Sequence, residues 1–304
     1  MNEVIEIKNL YKSYGEVKAV QDLSFKVKKG ELFAFLGVNG AGKSTTISIM
    51  CSALKKDSGS VVINGNDIDK ESDDTKRALG IVFQNSVLDK SLSVYDNLRS
   101  RASVYGIHGA DFKKRLDELC ELLDFKDLLK RTVGKLSGGQ KRKIDVARAL
   151  IHKPKILVLD EPTTGLDPQT RLTLWTVVEN LRKTENMTVF LTTHYMEEAA
   201  DADYVVIIDA GKIVAEGTPI QLKNKYAGDY VTIYGIDDKT ADMLNIPYEK
   251  VSGAHRFSVD STARATELIK KYPEIFNDYE VVKGKMDAVF LAVTGKKLEG
   301  GDNK

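Results

Sequence analysis

The segment Gly37-Val38-Asn39-Gly40-Ala41-Gly42-Lys43-Ser44 fits the pattern G-x-x-x-x-G-K-[S/T]. Its glycines let backbone N–H groups converge on phosphate oxygens without Cβ clashes, and a following helix adds its positive N-terminal dipole. We expect Lys43 to reach the β- and γ-phosphates of a nucleotide and the Ser44 hydroxyl to bind Mg²⁺. The nucleotide-binding residues predicted in this loop are Gly37, Asn39, Gly40, Ala41, Gly42, Lys43, Ser44 and Thr45.

A second chemical group follows the apolar run from Ile156 to Leu159, which predicts a buried strand ending in Asp160 and Glu161. Asp160 is suited to hold the Mg²⁺ shell, and Glu161 is suited to orient or deprotonate an attacking water. Any strand can end in two acids at a surface turn. Together with the phosphate loop, however, the pair predicts a nucleotide-hydrolysing site.

The surrounding pattern predicts the elements that position these groups. Leu32 to Leu36 is a continuous apolar run, typical of a strand covered on both faces, and Ser44 to Leu54 has helical spacing. Apolar residues alternate from Val4 to Val27, as in strands with one buried face. The coarse order is a small antiparallel β layer, an α/β core, a helical insertion at about 92–150, and the core resumed.

The interval between Ser44 and Asp160 is longer than a small nucleotide kinase or GTPase core needs. It contains Leu136-Ser137-Gly138-Gly139-Gln140, and with this motif the sequence resembles the ATP-binding subunits of ABC transporters. Further positions are similar to that family's motifs in the expected order, over about residues 3–224. They are Tyr14 (adenine-stacking aromatic), Gln84 (Q-loop), Asp167 (D-loop) and His194 (switch histidine).

The resemblance implies how the site works. Two subunits pack head to tail, and the signature motif of each completes the ATP site of the other. Glu161, His194 and Lys43 are then catalytic, and Ser44, Gln84 and Asp160 bind the metal. The residues implied to contact ATP across the dimer are Ser137, Gly138, Gly139, Gln140 and Asp167.

Each of these positions also has a purely structural interpretation. Ser137 to Gly139 would serve as an N-cap and turn before a helix, and Tyr14 could pack in the β layer. His194 could be a surface histidine at a strand end, and Gln84 an ordinary turn residue. Cys51 and Cys120, the only cysteines, are more typical of core positions than of reactive ones.

A second unit is predicted from Tyr226 onward. Its pattern indicates the order β-α-β-β-α-β-α, a small α+β domain of the split βαβ type. The predicted organisation is therefore an α/β P-loop NTPase core with an antiparallel β subdomain and a helical insertion over residues 1–224, and a C-terminal appendage over 225–304.

Composition limits the function classes. Forty-five Lys and Arg against 44 Asp and Glu give a net charge of +1, so nucleic acid is not an expected partner. The longest apolar runs are far shorter than the ~20 residues that cross a bilayer. A transporter therefore needs a separate transmembrane permease, with this chain peripheral on the cytoplasmic side of the membrane. The expected ligands are ATP and Mg²⁺, and a homodimer is favoured over a heterodimer.

The tail from Met286 to Gly295 and the region from Leu136 to Asp167 resemble exporter-type ATPases, which are associated with drug, antibiotic or lipid-linked glycan export. The main alternative is a soluble non-transport ABC ATPase that acts on a ribosome or another macromolecule. Such ribosome-acting proteins usually carry two cassettes, whereas this chain has one. A GTPase would need an Asn-Lys-x-Asp motif, which Asn224-Lys225-Tyr226-Ala227 fails to supply. An ABC subunit with a regulatory, non-transport partner is also compatible with the motifs.

Overall fold

The computed structural model describes residues 3–296. They form two compact units. The first comprises the residues up to His194 together with Ala202–Ile213, and the second comprises Tyr195–Asp201 together with the residues from Val214 on. The last change from the first compact unit to the second thus lies at residue 213, whereas the sequence predicts a domain boundary after residue 224. The predicted domain boundary stays a prediction. The outer ends of the predicted ranges, residues 1–2 and 297–304, lie outside the described residues.

The strands in chain order are β1 (Glu3–Tyr14), β2 (Val17–Lys28), β3 (Leu32–Gly37), β4 (Ser58–Ile63), β5 (Asn66–Asp67), β6 (Leu79–Val82), β7 (Ile156–Asp160), β8 (Thr188–Thr193), β9 (Tyr204–Asp209), β10 (Lys212–Gly217), β11 (Asp229–Ile233), β12 (Tyr248–Val251), β13 (Ala254–Val259) and β14 (Tyr279–Val282). The helices are α1 (Lys43–Met50), α2 (Ser72–Ala78), α3 (Val94–Val104), α4 (Gly109–Leu123), α5 (Gly138–Leu150), α6 (Pro168–Glu185), α7 (Met196–Ala200), α8 (Pro219–Tyr226), α9 (Asp238–Asp242), α10 (Thr262–Lys271) and α11 (Met286–Thr294).

The central sheet has six strands in the order β10-β9-β3-β8-β7-β6. Strand β3 pairs in parallel with β8 and β9, and β7 pairs in parallel with β8 and β6. Every residue of β3 is buried, as its continuous apolar run predicts for a strand covered on both faces, and every residue of β8 is buried as well. The carboxyl ends of β3, β8, β7 and β6 therefore lie side by side at one edge of the sheet.

A second, antiparallel sheet has the order β2-β1-β4-β5, which confirms the predicted β layer. Its alternating apolar residues share one core with the central sheet. Phe25 of β2 lies 5.2 Å from Phe33 of β3 and 6.0 Å from Phe190 of β8, measured between ring centroids. Burial of such aromatic side chains contributes a large part of a core's stability, so this cluster fixes the β layer beside the phosphate loop.

The predicted helical insertion corresponds to α3, α4 and α5, with two 3₁₀ turns at Lys126–Leu128 and Val133–Lys135 between the last two helices. Leu116, Leu119 and Leu123 form the buried stripe of α4, at the helical spacing that the sequence indicated. In α5, two charged residues, Arg142 and Asp145, are buried beside the apolar ones. Their contacts are described below.

The second unit contains the predicted order β11-α9-β12-β13-α10-β14-α11. Its sheet has the order β12-β13-β11-β14, and all three of its strand pairs are antiparallel, which confirms the split βαβ topology. Helices α9 and α10 contribute to the core of this sheet. The sequence pattern did not predict α2, α6, α8, β5 or β10. Across residues 3–296, no helix combines the length and apolar character required to cross a bilayer.

Candidate nucleotide-hydrolysis site

Four parallel strands bring the predicted site residues to one edge of the central sheet. The phosphate loop follows β3, Glu161 follows β7, His194 follows β8, and Gln84 lies just beyond β6. Because parallel strands end at the same edge, residues far apart in sequence meet there. The predicted grouping of these residues is thus a consequence of strand order.

The phosphate loop uses its glycines for backbone conformations that other residues adopt only with strain. Gly40 has φ 81° and Gly42 has φ 107°, both in the left-handed region. A Cβ atom at Gly42 would lie 2.5 Å from the carbonyl oxygen of Ala19, so side chains are excluded there by space as well as by conformation. Gly42 is also the N-cap of α1, so the N–H groups of the first turn of that helix lie at the end of the loop.

Lys43 is buried inside the loop. Its ammonium donates to the carbonyl oxygens of Gly37 at 2.6 Å and Val38 at 3.2 Å. Burial lowers the pKa of Lys43, while the nearby carboxylates of Glu161 and Asp160 act to raise it. A cation held in this way can neutralise phosphate oxygens beside the loop.

Asp160 is held by the neighbouring strand. Its Oδ1 accepts a hydrogen bond of 2.6 Å from the Thr192 hydroxyl, and that hydroxyl also accepts one of 3.1 Å from the backbone N–H of Glu161. Burial raises the pKa of Asp160, the Thr192 hydrogen bond lowers it, and the adjacent Glu161 raises it. Two adjacent, partly desolvated carboxylates form an environment that favours a bound cation.

The side chain of Glu161 lies close to two other predicted site residues, Gln84 and His194. Its Oε2 accepts a hydrogen bond of 2.8 Å from Gln84 Nε2 and lies 3.4 Å from His194 Nδ1. The Thr164 hydroxyl lies 3.4 Å from the same oxygen. The backbone of Glu161 has φ 44°, an uncommon left-handed conformation for a residue other than glycine. The structure therefore joins Gln84, Glu161 and His194 into one cluster.

The signature motif forms a helix cap. The Ser137 hydroxyl accepts from the backbone N–H of Gln140, and the Gln140 side chain accepts from the backbone N–H of Ser137. This capping box agrees with the structural interpretation of the motif. It also leaves the glycine N–H groups of the first turn at a helix N-terminus, where anions bind favourably. Gly139 packs so tightly on α6 that a Cβ there would lie 2.7 Å from Thr170 Oγ1.

The D-loop residue Asp167 caps α6. Its carboxylate accepts from the Thr170 backbone N–H at 2.9 Å and from the Thr170 hydroxyl at 2.6 Å, and these hydrogen bonds lower its pKa. Because Thr170 also contacts Gly139, the D-loop and the signature motif share one side chain. Tyr14, the last residue of β1, is half exposed, with the Lys12 ammonium 5.8 Å from its ring centroid. An exposed ring can serve as a stacking platform.

Three further residues hold this site together and were not predicted from the sequence, namely Thr192, Arg142 and Asp145. All three are buried polar residues within elements that were read as apolar or helical runs. For Arg142 and Asp145 a signal was present, because they lie three positions apart in a helix whose remaining residues on that face are apolar. Buried charges at such positions normally have partners.

The donor chemistry of the cluster fits Mg²⁺. A carboxylate at Asp160, a hydroxyl at Ser44 and an amide oxygen at Gln84 are hard oxygen ligands of the kind that this ion prefers. With a glycine-rich phosphate loop on β3 and a carboxylate pair on β7, the fold and the site define a P-loop ATPase.

Comparison with known proteins identifies the kind of ATPase. Residues 20–164 match the family model described as ABC transporter. The chain is 35% identical over 313 residues to the linearmycin resistance ATP-binding protein LnrL of Bacillus subtilis, covering 97% of this chain and 99% of that protein. It is 37% identical over 314 residues to the doxorubicin resistance ATP-binding protein DrrA of Mycobacterium tuberculosis, covering 97% and 95% of the two chains. The chain belongs to the family of ABC transporter ATP-binding subunits.

Solved structures agree with this assignment. An ATP-binding subunit of an ABC transporter superposes with a TM-score of 0.67 at 29% identity, covering 73% of this chain and 93% of that one. A dimeric ATP-binding cassette in a post-hydrolysis state, bound to ADP and Pi, superposes with a TM-score of 0.65 at 26% identity, covering 71% and 98%. The chain is thus the ATP-hydrolysing subunit of an ABC transporter.

Proposed function

We propose that this chain powers the export of an antibiotic- or drug-like compound through a separate transmembrane permease. The observation that supports the ATPase part of the proposal is the cluster beside the phosphate loop, in which Glu161 Oε2 accepts a hydrogen bond from Gln84 and lies 3.4 Å from His194 Nδ1. Two relatives that align over nearly their whole length, including the appendage, are named for linearmycin and doxorubicin resistance. A third relative, 37% identical over 237 residues, is the Nod factor export ATP-binding protein I of Cupriavidus pinatubonensis. The compounds for which these relatives are named are therefore not limited to antibiotics and drugs.

In the proposed reaction, ATP and water give ADP and phosphate. Glu161 orients the attacking water, and His194, 3.4 Å from that carboxylate, holds it against the γ-phosphate. Lys43 and the backbone N–H groups of the loop bind the phosphate oxygens. Ser44, Gln84 and Asp160 would hold Mg²⁺, which would supply charge neutralisation on the phosphates. Tyr14 stacks on the adenine.

A second copy of the chain is the proposed partner across the ATP. All motifs are present in this one sequence, which supports a symmetric homodimer with two identical sites. Ser137, Gly138, Gly139 and Gln140 of one copy cap the γ-phosphate bound to the other, and Asp167 lies beside them. Closure on ATP and opening after hydrolysis then drive the permease.

The proposed docking place for the permease is a cleft of about 430 Å³ beside α3 and β6. Phe83 and Val104 supply exposed apolar surface to it, and Arg77, Arg101 and Arg148 supply positive charge. Among the described residues, Arg101 Nε is buried without a hydrogen-bond partner. The lining also includes Lys76 and the acidic Asp73, so its charge is predominantly positive. Apolar surface beside an excess of cations suits a cytoplasmic helix of the permease that carries an acidic side chain. Phe83 precedes Gln84 directly, so the cleft adjoins the ATP site.

The catalytic assignment is tested with Glu161→Gln. The amide keeps the size of the side chain and removes the carboxylate, so ATP still binds while turnover falls by about 10²- to 10⁴-fold, as for loss of a general base. Size-exclusion chromatography with ATP and Mg²⁺ should show an accumulated dimer. Glu185→Gln, at an exposed position at the end of α6, is the matched control. Wild-type turnover in Glu161→Gln would refute the assignment.

The transporter assignment is tested by affinity isolation from detergent-solubilised membranes of the native cell, followed by mass spectrometry. A polytopic membrane protein in stoichiometric amount is the expected result. Val104→Asp adds a charge to the exposed apolar wall of the cleft and should release that protein while leaving ATP binding intact. Recovery with ribosomal or other macromolecular partners only would instead support the non-transport alternative.

A further inference from the structure

Helix α5 begins at the signature motif and carries two buried charged residues less than one turn apart. Arg142 is 7% exposed and Asp145 is 4% exposed. Burying a charge costs several kcal/mol unless hydrogen bonds replace the lost water, so the partners of these residues indicate their role.

Arg142 binds three backbone carbonyl oxygens that belong to two different parts of the ATP site. Its Nη1 donates to Phe83, the residue before Gln84, at 2.5 Å. Its Nη2 donates to Glu161 at 2.9 Å, and its Nε donates to Pro162 at 2.5 Å. A guanidinium has five N–H donors in a rigid plane, so it can span several acceptors at fixed spacing.

Asp145 holds the other side of Gln84. Its Oδ1 accepts a hydrogen bond of 3.1 Å from the Ser86 hydroxyl. Burial raises the pKa of Asp145, while this bond and the positive charge of Arg142 lower it. The residue before Gln84 and the second residue after it are therefore both attached to α5, and Gln84 itself donates to Glu161 at 2.8 Å.

The backbone of Glu161 explains why such attachment is needed. Its φ of 44° is unfavourable for a residue with a side chain and persists only where the surroundings impose it. The Thr192 carbonyl fixes its N–H at 3.0 Å, and Arg142 fixes the carbonyl oxygens of Glu161 and of the next residue. Without the guanidinium, the turn can relax and carry the carboxylate away from Gln84.

We propose that Arg142 is a positioning residue for ATP hydrolysis, which sets the Gln84–Glu161 geometry through three backbone carbonyls while Asp145 anchors the far side of Gln84. The inference rests on the proposed roles of Gln84 and Glu161. It also gives α5 a mechanical role. The signature motif starts this helix, and Arg148, two turns further along, lines the cleft proposed for the permease. One rigid helix thus connects the docking cleft, the catalytic carboxylate and the motif that faces the second subunit.

The test compares Arg142→Gln and Arg142→Lys with Lys143→Gln in the full chain. Lys143→Gln is the matched control, because it removes the same charge from the same helix at a residue whose ammonium donates to the Asp124 carbonyl at 2.9 Å near the surface. We expect Arg142→Gln to lower kcat at least about tenfold while KM for ATP stays within about threefold, the pattern of a residue that acts on the transition state. Arg142→Lys should be intermediate, since an ammonium cannot reproduce the planar fork. The control should behave as the wild type.

A double mutant distinguishes a positioning role of Arg142 in ATP hydrolysis from a merely structural role. If Arg142 acts through the position of the Glu161 carboxylate, adding Arg142→Gln to Glu161→Gln should lower kcat little further, whereas independent effects multiply. Thermal unfolding and fluorescent-ATP binding give the folded fraction of each variant. Wild-type kcat in Arg142→Gln, multiplicative effects in the double mutant, or a loss of kcat that only follows the folded fraction would each overturn the proposal.

If Arg142→Gln does not fold, Arg142→Lys carries the test, and wild-type kcat in that variant overturns the proposal. Failure of the proposed function appears elsewhere, as undiminished turnover of Glu161→Gln, and is therefore distinguishable from failure of the Arg142 assignment.

Discussion

The hydroxyl of Thr192 offers a direct measure of how firmly the structure holds Asp160. Thr192 is fully buried on β8, and its hydroxyl donates to Asp160 and accepts from the Glu161 N–H. Thr188, at the start of the same strand, is also buried, and its hydroxyl accepts from the Gly30 N–H at 2.9 Å. Thr192→Val and Thr188→Val are thus the same substitution in one strand with different partners.

The expected magnitudes follow from those partners. A hydrogen bond to a charged group contributes about 1.5–3 kcal/mol, and one between neutral groups contributes about 0.5–1.5 kcal/mol. Thr192→Val should therefore lower the free energy of unfolding by about 2 kcal/mol and Thr188→Val by about 1 kcal/mol. In a unit of this size, these values correspond to a Tm decrease of about 4–8 °C and about 2–4 °C.

Intrinsic tryptophan fluorescence can follow the thermal unfolding of these variants. The chain's one tryptophan, Trp175, lies in α6 of the first unit, so tryptophan fluorescence follows that unit during thermal unfolding. The experiment is done without Mg²⁺ or nucleotide, because ligands would stabilise the folded state by mass action. An equal or smaller Tm decrease for Thr192→Val would refute a charge-assisted bond to Asp160. Restoration of Mg²⁺ and ATP should then show a higher Mg²⁺ requirement for hydrolysis in Thr192→Val alone.

Two further predictions concern titratable groups outside the site. Burial lowers the pKa of His152 to about 4, with the cations of Arg101 and Arg115 acting in the same direction. Since this folded-state pKa lies below the unfolded value of about 6.5, protonation favours the unfolded chain as the pH falls through that window. His152→Phe keeps an aromatic ring against Tyr105 and should remove about 1–2 kcal/mol of the stability loss between pH 7 and pH 5, measured by urea titration at each pH. A pH dependence identical to the wild type would contradict the burial of a neutral imidazole. Cys51 is buried, and burial raises the pKa of its thiol to about 12, so a thiol reagent such as Ellman's should modify it only after unfolding. Rapid modification of the native chain at Cys51 would show that this part of the core opens easily.

Local pattern predicted most of the fold. Continuous apolar runs predicted the central strands β3 and β7, and alternation predicted the antiparallel layer, because periodicity reports directly which faces are buried. In the C-terminal unit, the order of seven elements was also predictable. The strand β10 was not, since its apolar stretch from Ile213 to Ala215 is only three residues long and charged residues flank it. Its strand conformation depends on a neighbouring strand in the sheet.

The sequence by itself predicted which residues form the candidate site and determined their order in the chain. The phosphate loop, Asp160 and Glu161, the signature motif and His194 were all recognisable from residue type and spacing, because these motifs are short and require particular side chains. What the sequence could not give was the set of contacts among them. Gln84 and Glu161 are far apart in the chain and meet only because β6 and β7 are neighbours in the sheet.

Only the tertiary structure decided what holds those residues in place. The spacing of Arg142 and Asp145 indicates buried charges that need partners, but neither that spacing nor the pattern around Thr192 shows that these residues belong to the site. Their roles come from hydrogen bonds to backbone and carboxylate groups of other elements, which depend on distance and orientation in three dimensions. A sequence motif specifies which group reacts, whereas tertiary packing specifies the position of that group. The reason is that buried polar atoms form hydrogen bonds with the partners that the fold brings within bonding distance.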